Sequence, residues 1–260
     1  MQVVILAGGL GTRISEESHL RPKPLLEIGG QPILWHIMKY YSHFNFNDFV
    51  ICCGYRGYMI KEYFADYYLH RSDVTFDFRS GGRMEVHSNV AEPWRVTLID
   101  TGYGTATGGR VKRVEPFINK ETFMLTYGDG LSNVDLKALV AHHKAVGKKV
   151  TMTAVRPGGR YGVLSFAEDQ KTVTGFQEKP KGDGGWINAG FMVMEPSVFR
   201  YIDGDNCSLE ARALTAIGSE MDLDAFKHEG FWQCMDTQRD KEQLERLWDR
   251  GAAPWKVWDY

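Results

Sequence analysis

The feature that most constrains this chain lies at its start, where Val3-Val4-Ile5-Leu6 runs straight into Ala7-Gly8-Gly9-Leu10-Gly11-Thr12-Arg13. An apolar run without polar alternation predicts a central strand buried on both faces. It stops at a loop holding Gly8, Gly9 and Gly11. A backbone of this kind can turn sharply and approach a ligand closely, because no Cβ stands in the way. Its amides form a concavity suited to an anion, and the fork of Arg13 matches phosphate oxygens. Further on, Lys23 sits between Pro22 and Pro24, which stiffen its loop. The pattern predicts a triphosphate held by backbone amides and two cations. Two commoner glycine motifs fail: Ile14 stands where G-x-G-x-x-G needs its third glycine, and no Gly-Lys-Ser/Thr closes a P-loop.

A length of 260 residues allows one large α/β domain or two small ones. The formal net charge of −2 gives no electrostatic reason to expect a nucleic acid or an acidic membrane as partner. No apolar run reaches the length of a membrane span, and no charged segment precedes a signal core, so a cytoplasmic protein is expected. Cys52, Cys53, Cys207 and Cys234 form no C-x-x-C pair and read as buried free thiols. Adjacent Cys52 and Cys53 fall in a strand pattern and should point to opposite faces.

Along the chain, Ile33, Leu34, Ile37, Met38, Tyr41 and Phe44 recur at helical spacing after Pro32. Phe49 to Cys53 reads as a second buried strand, and Met59, Ile60, Tyr63, Phe64 and Tyr67 mark a second helix. Strand, glycine loop, helix, strand, helix predicts βαβ units on a parallel sheet. Residues 72–100, with β-prone pieces at 74–76, 84–86 and 96–99, predict a small β-hairpin insertion at the sheet edge. The small-residue loop 100–110 could cover a base or be a plain surface turn, and it leads to a helix expected over 110–118. Thr122 to Thr126 is a further buried strand ending in Tyr127-Gly128-Asp129-Gly130, where open α/β sheets bind their ligands.

A helix over 134–146 and a strand over 150–155 complete a nucleotide-binding half, 1–155. Glycine loops and alternating strands then predict a mixed sheet for a second substrate in 156–236. Helices are expected near 197–202 and 208–218, the second capped by Ser208. A last helix over 237–250 opens the C-terminal part, 237–260. Trp255 and Trp258 there should dock on this subunit or a neighbour. All three parts read as one domain.

Two carboxylates stand out, Asp129 and Asp236. Hard cations such as Mg2+ take one or two carboxylates along with phosphates and water. Asp236 reads equally as the cap of the last helix. Lys179, fixed by Pro180, could pair with a monophosphate, or be a solvated surface lysine. Asn188 and Gly190 could offer an amide and close backbone approach to sugar hydroxyls, or mark a bulge.

Leu6 to Arg13 followed by Pro22-Lys23-Pro24-Leu25 resembles the two-part signature of the sugar-1-phosphate nucleotidyltransferases. The similarity spans nearly the whole chain and is closer to the cytidylyltransferase branch. That closer match is carried by Pro32 to Met38, Cys52 to Tyr55, Ile60 to Phe64, Met84 to His87 and Thr107 to Arg110. Glu178 to Gly184 and Gly230 to Gln233 extend it. The resemblance implies a Rossmann-like three-layer α/β/α fold, that of the nucleotide-diphospho-sugar transferases. It implies CTP and glucose 1-phosphate as substrates, Mg2+ as cofactor, a homo-oligomer, and a role in supplying sugars for surface polysaccharide such as O-antigen.

Carried over residue by residue, Leu6, Ala7, Gly8 and Gly9 would meet base and ribose, and Gly11, Thr12 and Arg13 the phosphates. Lys23 would bridge the α-phosphate and the sugar phosphate. Thr105, Arg110 and Gly128 would complete the nucleotide site. Tyr161, Gly162, Glu178, Lys179, Asn188 and Gly190 would hold the sugar phosphate, and Asp129 and Asp236 the metal. Arg13, Lys23 and Asp129 are the residues implied to act in catalysis. Two departures stand out: Ser208-Leu209-Glu210-Ala211-Arg212 replaces a segment with Trp-Glu and a paired Glu-Pro, and Cys234 replaces a commoner proline. Rival readings are a UTP- or dTTP-dependent enzyme, a non-catalytic nucleotide-binding regulator, and a dinucleotide-dependent oxidoreductase, which the failed fingerprint disfavours.

Overall fold

The computed structural model describes residues 1–11, 14, 20–156, 163–166, 173–177 and 185–258. In chain order the elements are β1 (Gln2–Leu6), α1 (Ile33–His43), β2 (Asp48–Cys53), α2 (Gly57–Ala65), β3 (Ser72–Asp77), β4 (Arg83–Asn89) and β5 (Arg95–Asp100). There follow α3 (Thr107–Val114), β6 (Phe123–Tyr127), β7 (Gly130–Ser132), α4 (Leu136–Val146), β8 (Val150–Val155), β9 (Val163–Phe166), β10 (Val173–Gln177) and β11 (Ile187–Met194). A π-helical turn, Leu209–Leu214, runs into α5 (Thr215–Ser219), and β12 (Leu223–His228), β13 (Trp232–Cys234) and α6 (Gln238–Asp249) complete the chain.

β1 is buried along its whole length because a parallel strand lies on either side of it, β2 and β6. The seven-stranded sheet has the order β12-β8-β11-β6-β1-β2-β5. Neighbours are parallel except at β11, which runs against both β6 and β8. Alternate residues of β1 feed two separate cores. Val3 and Ile5 pack with α1, α4 and α6, and Val4 and Leu6 with α3 and the π turn. Cys52 and Cys53 are buried in opposite cores, as strand alternation requires. These are the three layers of an α/β/α sandwich. From β1 the chain runs outward through β2 to β5, then crosses back to β6 on the other side of β1. A crevice must therefore open beyond the carboxyl ends of β1 and β6.

Local chemistry sets the helix ends. Asp135 accepts from the Ala138 amide to start α4, and Gly147 ends it in the left-handed region (φ 63°). Ser208 accepts from the Ala211 amide, as expected of a cap. The helix expected over 110–118 is α3, beginning three residues earlier and ending in a single 3-10 turn. The segment near 197–202 is 3-10 rather than α-helical, with Pro196 in its first turn.

The expected insertion over 72–100 is corrected in part. β3 and β4 do form a separate hairpin, but β5 joins the main sheet beside β2. As an edge strand its inner residues are all half-buried and its ends exposed, a short mixed pattern like that of a hairpin arm, which is why its sequence misleads.

The C-terminal tail docks on its own chain. Trp255 is fully buried and Trp258 nearly so, both against α1. His36 is the pivot: one ring nitrogen lies 2.7 Å from the Ile28 carbonyl, and the Trp255 indole donates to the other at 3.3 Å. That pattern requires a neutral ring with the proton on Nε2. Burial holds this imidazole down to about 4 from its usual 6.5, against the opposing carbonyl bonds of Ile28 and Gln31. A depressed pKa means the unfolded chain binds the proton more readily. The stabilisation is therefore complete above pH 6.5 and lost as pH falls through about 4. The expected loss from this residue is about 3 kcal/mol. Urea denaturation against pH should display it in the parent, and a His36→Gln variant should lack that component. Among the described residues, no helix is long and apolar enough to cross a membrane.

Candidate active site

The crevice is a cavity of about 460 Å³. Its walls bring together Leu6, Ala7, Gly8, Gly9, Gly11, Lys23, Thr105, Arg110, Gly128, Asp129 and Asp236, eleven residues expected from the sequence. Thr12, Arg13, Tyr161, Gly162, Glu178 and Lys179 lie outside the described residues. Leu10, Pro24, Tyr103, Gly104, Ala106, Thr107 and Tyr127 also line it, though none of them carries a site role of its own from the sequence.

Each wall has a local cause. The glycine loop is pinned beside β2, since Ala7 donates to the Cys52 carbonyl and Tyr55 to that of Gly8. Gly11 takes φ 64°, which a side chain would resist. Lys23 opens a 3-10 turn whose Leu25 and Leu26 are buried, so the turn is anchored while the ammonium faces the cavity. Gly128 donates to the Leu6 carbonyl at 2.9 Å, and a Cβ there would meet that oxygen at the same distance. β6 therefore stays close to β1 where Asp129 emerges.

Asp129 and Asp236, far apart in sequence, meet through a two-stranded ribbon. β7 pairs antiparallel with β13, Gly130 opposite Cys234, and Met235 donates to the Asp129 carbonyl at 2.8 Å. Lys23 Nζ then contacts both acids, at 2.5 Å from Asp129 and 2.8 Å from Asp236. Burial would lower the Lys23 pKa, but the two carboxylates outweigh it and hold the ammonium charged. The alternative reading of Asp236 as a cap is corrected. Thr237 caps α6 in a capping box with Asp240, so the Asp236 carboxylate is spared for the cavity.

Ligand atoms of Asp129, Cys234 and Asp236 lie within 4.8 Å of one another. Burial, reinforced by Asp129, pushes the Cys234 thiol far above its usual pKa, so the anionic donors of this group are its two acids. What remains is a pair of carboxylates, a donor set that fits a hard divalent cation such as Mg2+ rather than a thiolate-seeking one.

Arg110 faces the cavity, yet its donors are engaged elsewhere. Nη1 bonds Thr101 Oγ1 at 2.8 Å and the Gly102 carbonyl at 2.7 Å, and Nη2 the Tyr103 carbonyl at 3.2 Å. It ties the 101–103 loop to the glycine loop, and a Cβ on Gly8 or Gly54 would strike its guanidinium. Gly8→Ala is therefore expected to destabilise by about 1–3 kcal/mol. Gly9→Ala, where a Cβ meets nothing within 4 Å, should not. Chemical denaturation of the two variants checks the contrast.

Asn188 and Gly190 stand one side chain back from the cavity, behind Tyr127. Asn188 donates to the Tyr127 hydroxyl at 3.3 Å. Gly190 has φ 90°, and a Cβ there would come 2.5 Å from the Tyr127 ring. Thr107 falls in the Thr107 to Arg110 match and Tyr103 in the 100–110 loop, but sequence reasoning assigns a site role to neither of them, nor to Tyr127. Only the Tyr127-Gly128-Asp129 context could have marked Tyr127.

The family model described as nucleotidyl transferase matches residues 2–237. The glucose-1-phosphate cytidylyltransferases of Salmonella typhimurium and Salmonella typhi are each 56% identical over 260 residues, covering all of both chains. A solved UDP-glucose pyrophosphorylase complexed with UDP-glucose superposes with TM-score 0.68 at 13% identity, covering 96% of this chain and 98% of that one. At that identity it speaks for the fold alone.

Proposed function

The chain belongs to the nucleotidyl transferase family, and from that premise we propose that it joins CTP to glucose 1-phosphate, forming CDP-glucose and releasing pyrophosphate. Full-length similarity to the Salmonella cytidylyltransferases carries the reading. The meeting of Lys23, Asp129 and Asp236 beside the glycine loop supplies its chemistry.

No protein nucleophile is required. An oxygen of the sugar phosphate, ionised at neutral pH, attacks the α-phosphorus in line, and the bond to pyrophosphate breaks. The protein's task is to position the two anions and neutralise their charge. The glycine loop takes the nucleotide against its backbone, with Thr12 and Arg13 assigned to the phosphates. Lys23 supplies a fixed ammonium where the two phosphates meet. Tyr161, Gly162, Glu178, Lys179, Asn188 and Gly190 are assigned to the sugar phosphate. Mg2+, when bound, would be held by Asp129 and Asp236 and would spread the negative charge of the phosphate oxygens. A homo-oligomer acting in the cytoplasm to supply surface-polysaccharide sugars completes the proposal.

Pyrophosphate release with Mg2+, glucose 1-phosphate and each of CTP, UTP, dTTP, ATP and GTP tests it. Release favouring CTP is expected. Preference for another nucleotide would overturn the cytidylyl assignment, and silence from folded protein that binds CTP would favour a non-catalytic regulator.

A further inference from the structure

Behind the cavity wall lies a carboxylate that the chemistry above leaves unused. Glu210 sits in the π-helical turn, a distortion often kept at functional sites. Its Oε1 accepts from the Tyr127 hydroxyl at 2.6 Å. Its Oε2 accepts from Thr107 Oγ1 at 2.6 Å and from Ser208 Oγ at 3.0 Å. Burial alone would raise the Glu210 pKa, but these hydrogen bonds bring it below the usual value, so the group is ionised.

An ionised carboxylate only accepts, so each hydroxyl must direct its single proton at Glu210. The remaining bonds agree. The Leu209 amide donates to Thr107 Oγ1 at 3.0 Å, and Asn188 Nδ2 donates to the Tyr127 hydroxyl at 3.3 Å. The Asn188 amide is itself oriented, because its Oδ1 accepts from the Gly190 amide at 2.9 Å. Thr107 and Tyr127 both line the cavity. With their protons turned away, they can offer a ligand only oxygen lone pairs.

We propose that Glu210 is a positioning residue that makes this part of the cavity accept hydrogen bonds but not donate them. It thereby selects ligand groups that donate, a hexose hydroxyl or the amino group of cytosine. The inference rests on the nucleotidyl-transfer reading, and uracil, with a carbonyl oxygen in place of that amino group, would find no donor there.

The test compares substrates that differ by one donor: glucose 1-phosphate against its 2-, 3-, 4- and 6-deoxyfluoro analogues, and CTP against UTP. The parent should discriminate at least one pair by about 10-fold or more in kcat/KM. In Glu210→Gln the amide must donate either to Tyr127 or to Thr107 and Ser208, and the cavity-lining hydroxyl that receives it turns its own proton away from residue 210 and into the cavity. The discrimination should fall to about 3-fold or less, whatever happens to the absolute rate. Tyr127→Phe and Thr107→Val each remove one acceptor, so the variant that abolishes a given discrimination identifies which hydroxyl reads it. They also carry the test if Glu210→Gln fails to fold. Unchanged discrimination in all three variants would overturn the role of Glu210. If the parent makes no product from any pair, the proposed reaction fails instead, and calorimetric binding of the same pairs still decides what Glu210 does.

Discussion

Replacing Lys23 by alanine is expected to lower turnover by about 100-fold or more while leaving the fold intact. The ammonium is the one described cation lining the cavity beside both acids, and it is held charged there by Asp129 and Asp236. A fixed charge of that kind acts where negative charge is redistributed between two phosphates, and it needs no reorganisation when the reaction occurs. Its anchor is independent of its head, since Leu25 and Leu26 bury the turn whether or not an amine follows Pro22. Removing it leaves two carboxylates facing each other, but both are partly open to solvent, at 29% and 19%. Water and counter-ions can screen them, so the stability change should stay below about 2 kcal/mol. Steady-state pyrophosphate release and a denaturation curve on the same preparation check both halves. Near-normal turnover would remove Lys23 from the mechanism.

What the sequence discloses about this molecule follows from how local each cause is. β1 and the glycine loop are legible because strand burial and glycine freedom are written in adjacent residues. The pairing of Asp129 with Asp236 is not. It depends on the register of β7 against β13, which no local pattern specifies. Asp236 reads from the sequence as either a metal ligand or the cap of α6, and only the backbone geometry shows that Thr237 is the cap. β5 misleads because a short, half-exposed edge strand carries no local mark that separates it from a hairpin arm. Glu210 reads in sequence as an ordinary acidic residue in a first helical turn. Its contacts with Thr107 and Tyr127 span 103 and 83 residues and emerge only when β6 and α3 are packed against the π turn. Arg110 shows the reverse: its motif is legible, but three polar contacts engage the guanidinium with the 101–103 loop.

Asp236→Asn should separate metal binding from helix capping. Because Thr237 and Asp240 close the capping box, α6 does not need the Asp236 carboxylate, and the variant should melt close to the parent. Its effect belongs in the metal response instead. An amide keeps one oxygen but loses the negative charge that suits a hard cation. The Mg2+ concentration giving half-maximal pyrophosphate release should rise by about 10-fold or more, the scale seen when metal-site partners are altered. Thr237→Ala supplies the opposite signature. It removes the cap and should lower stability by about 1 kcal/mol, with the Mg2+ titration unchanged. An unchanged titration in Asp236→Asn would mean that the acid serves only to hold Lys23 at 2.8 Å. Turnover would then fall at every Mg2+ concentration by the same factor, and the metal assignment would contract to Asp129.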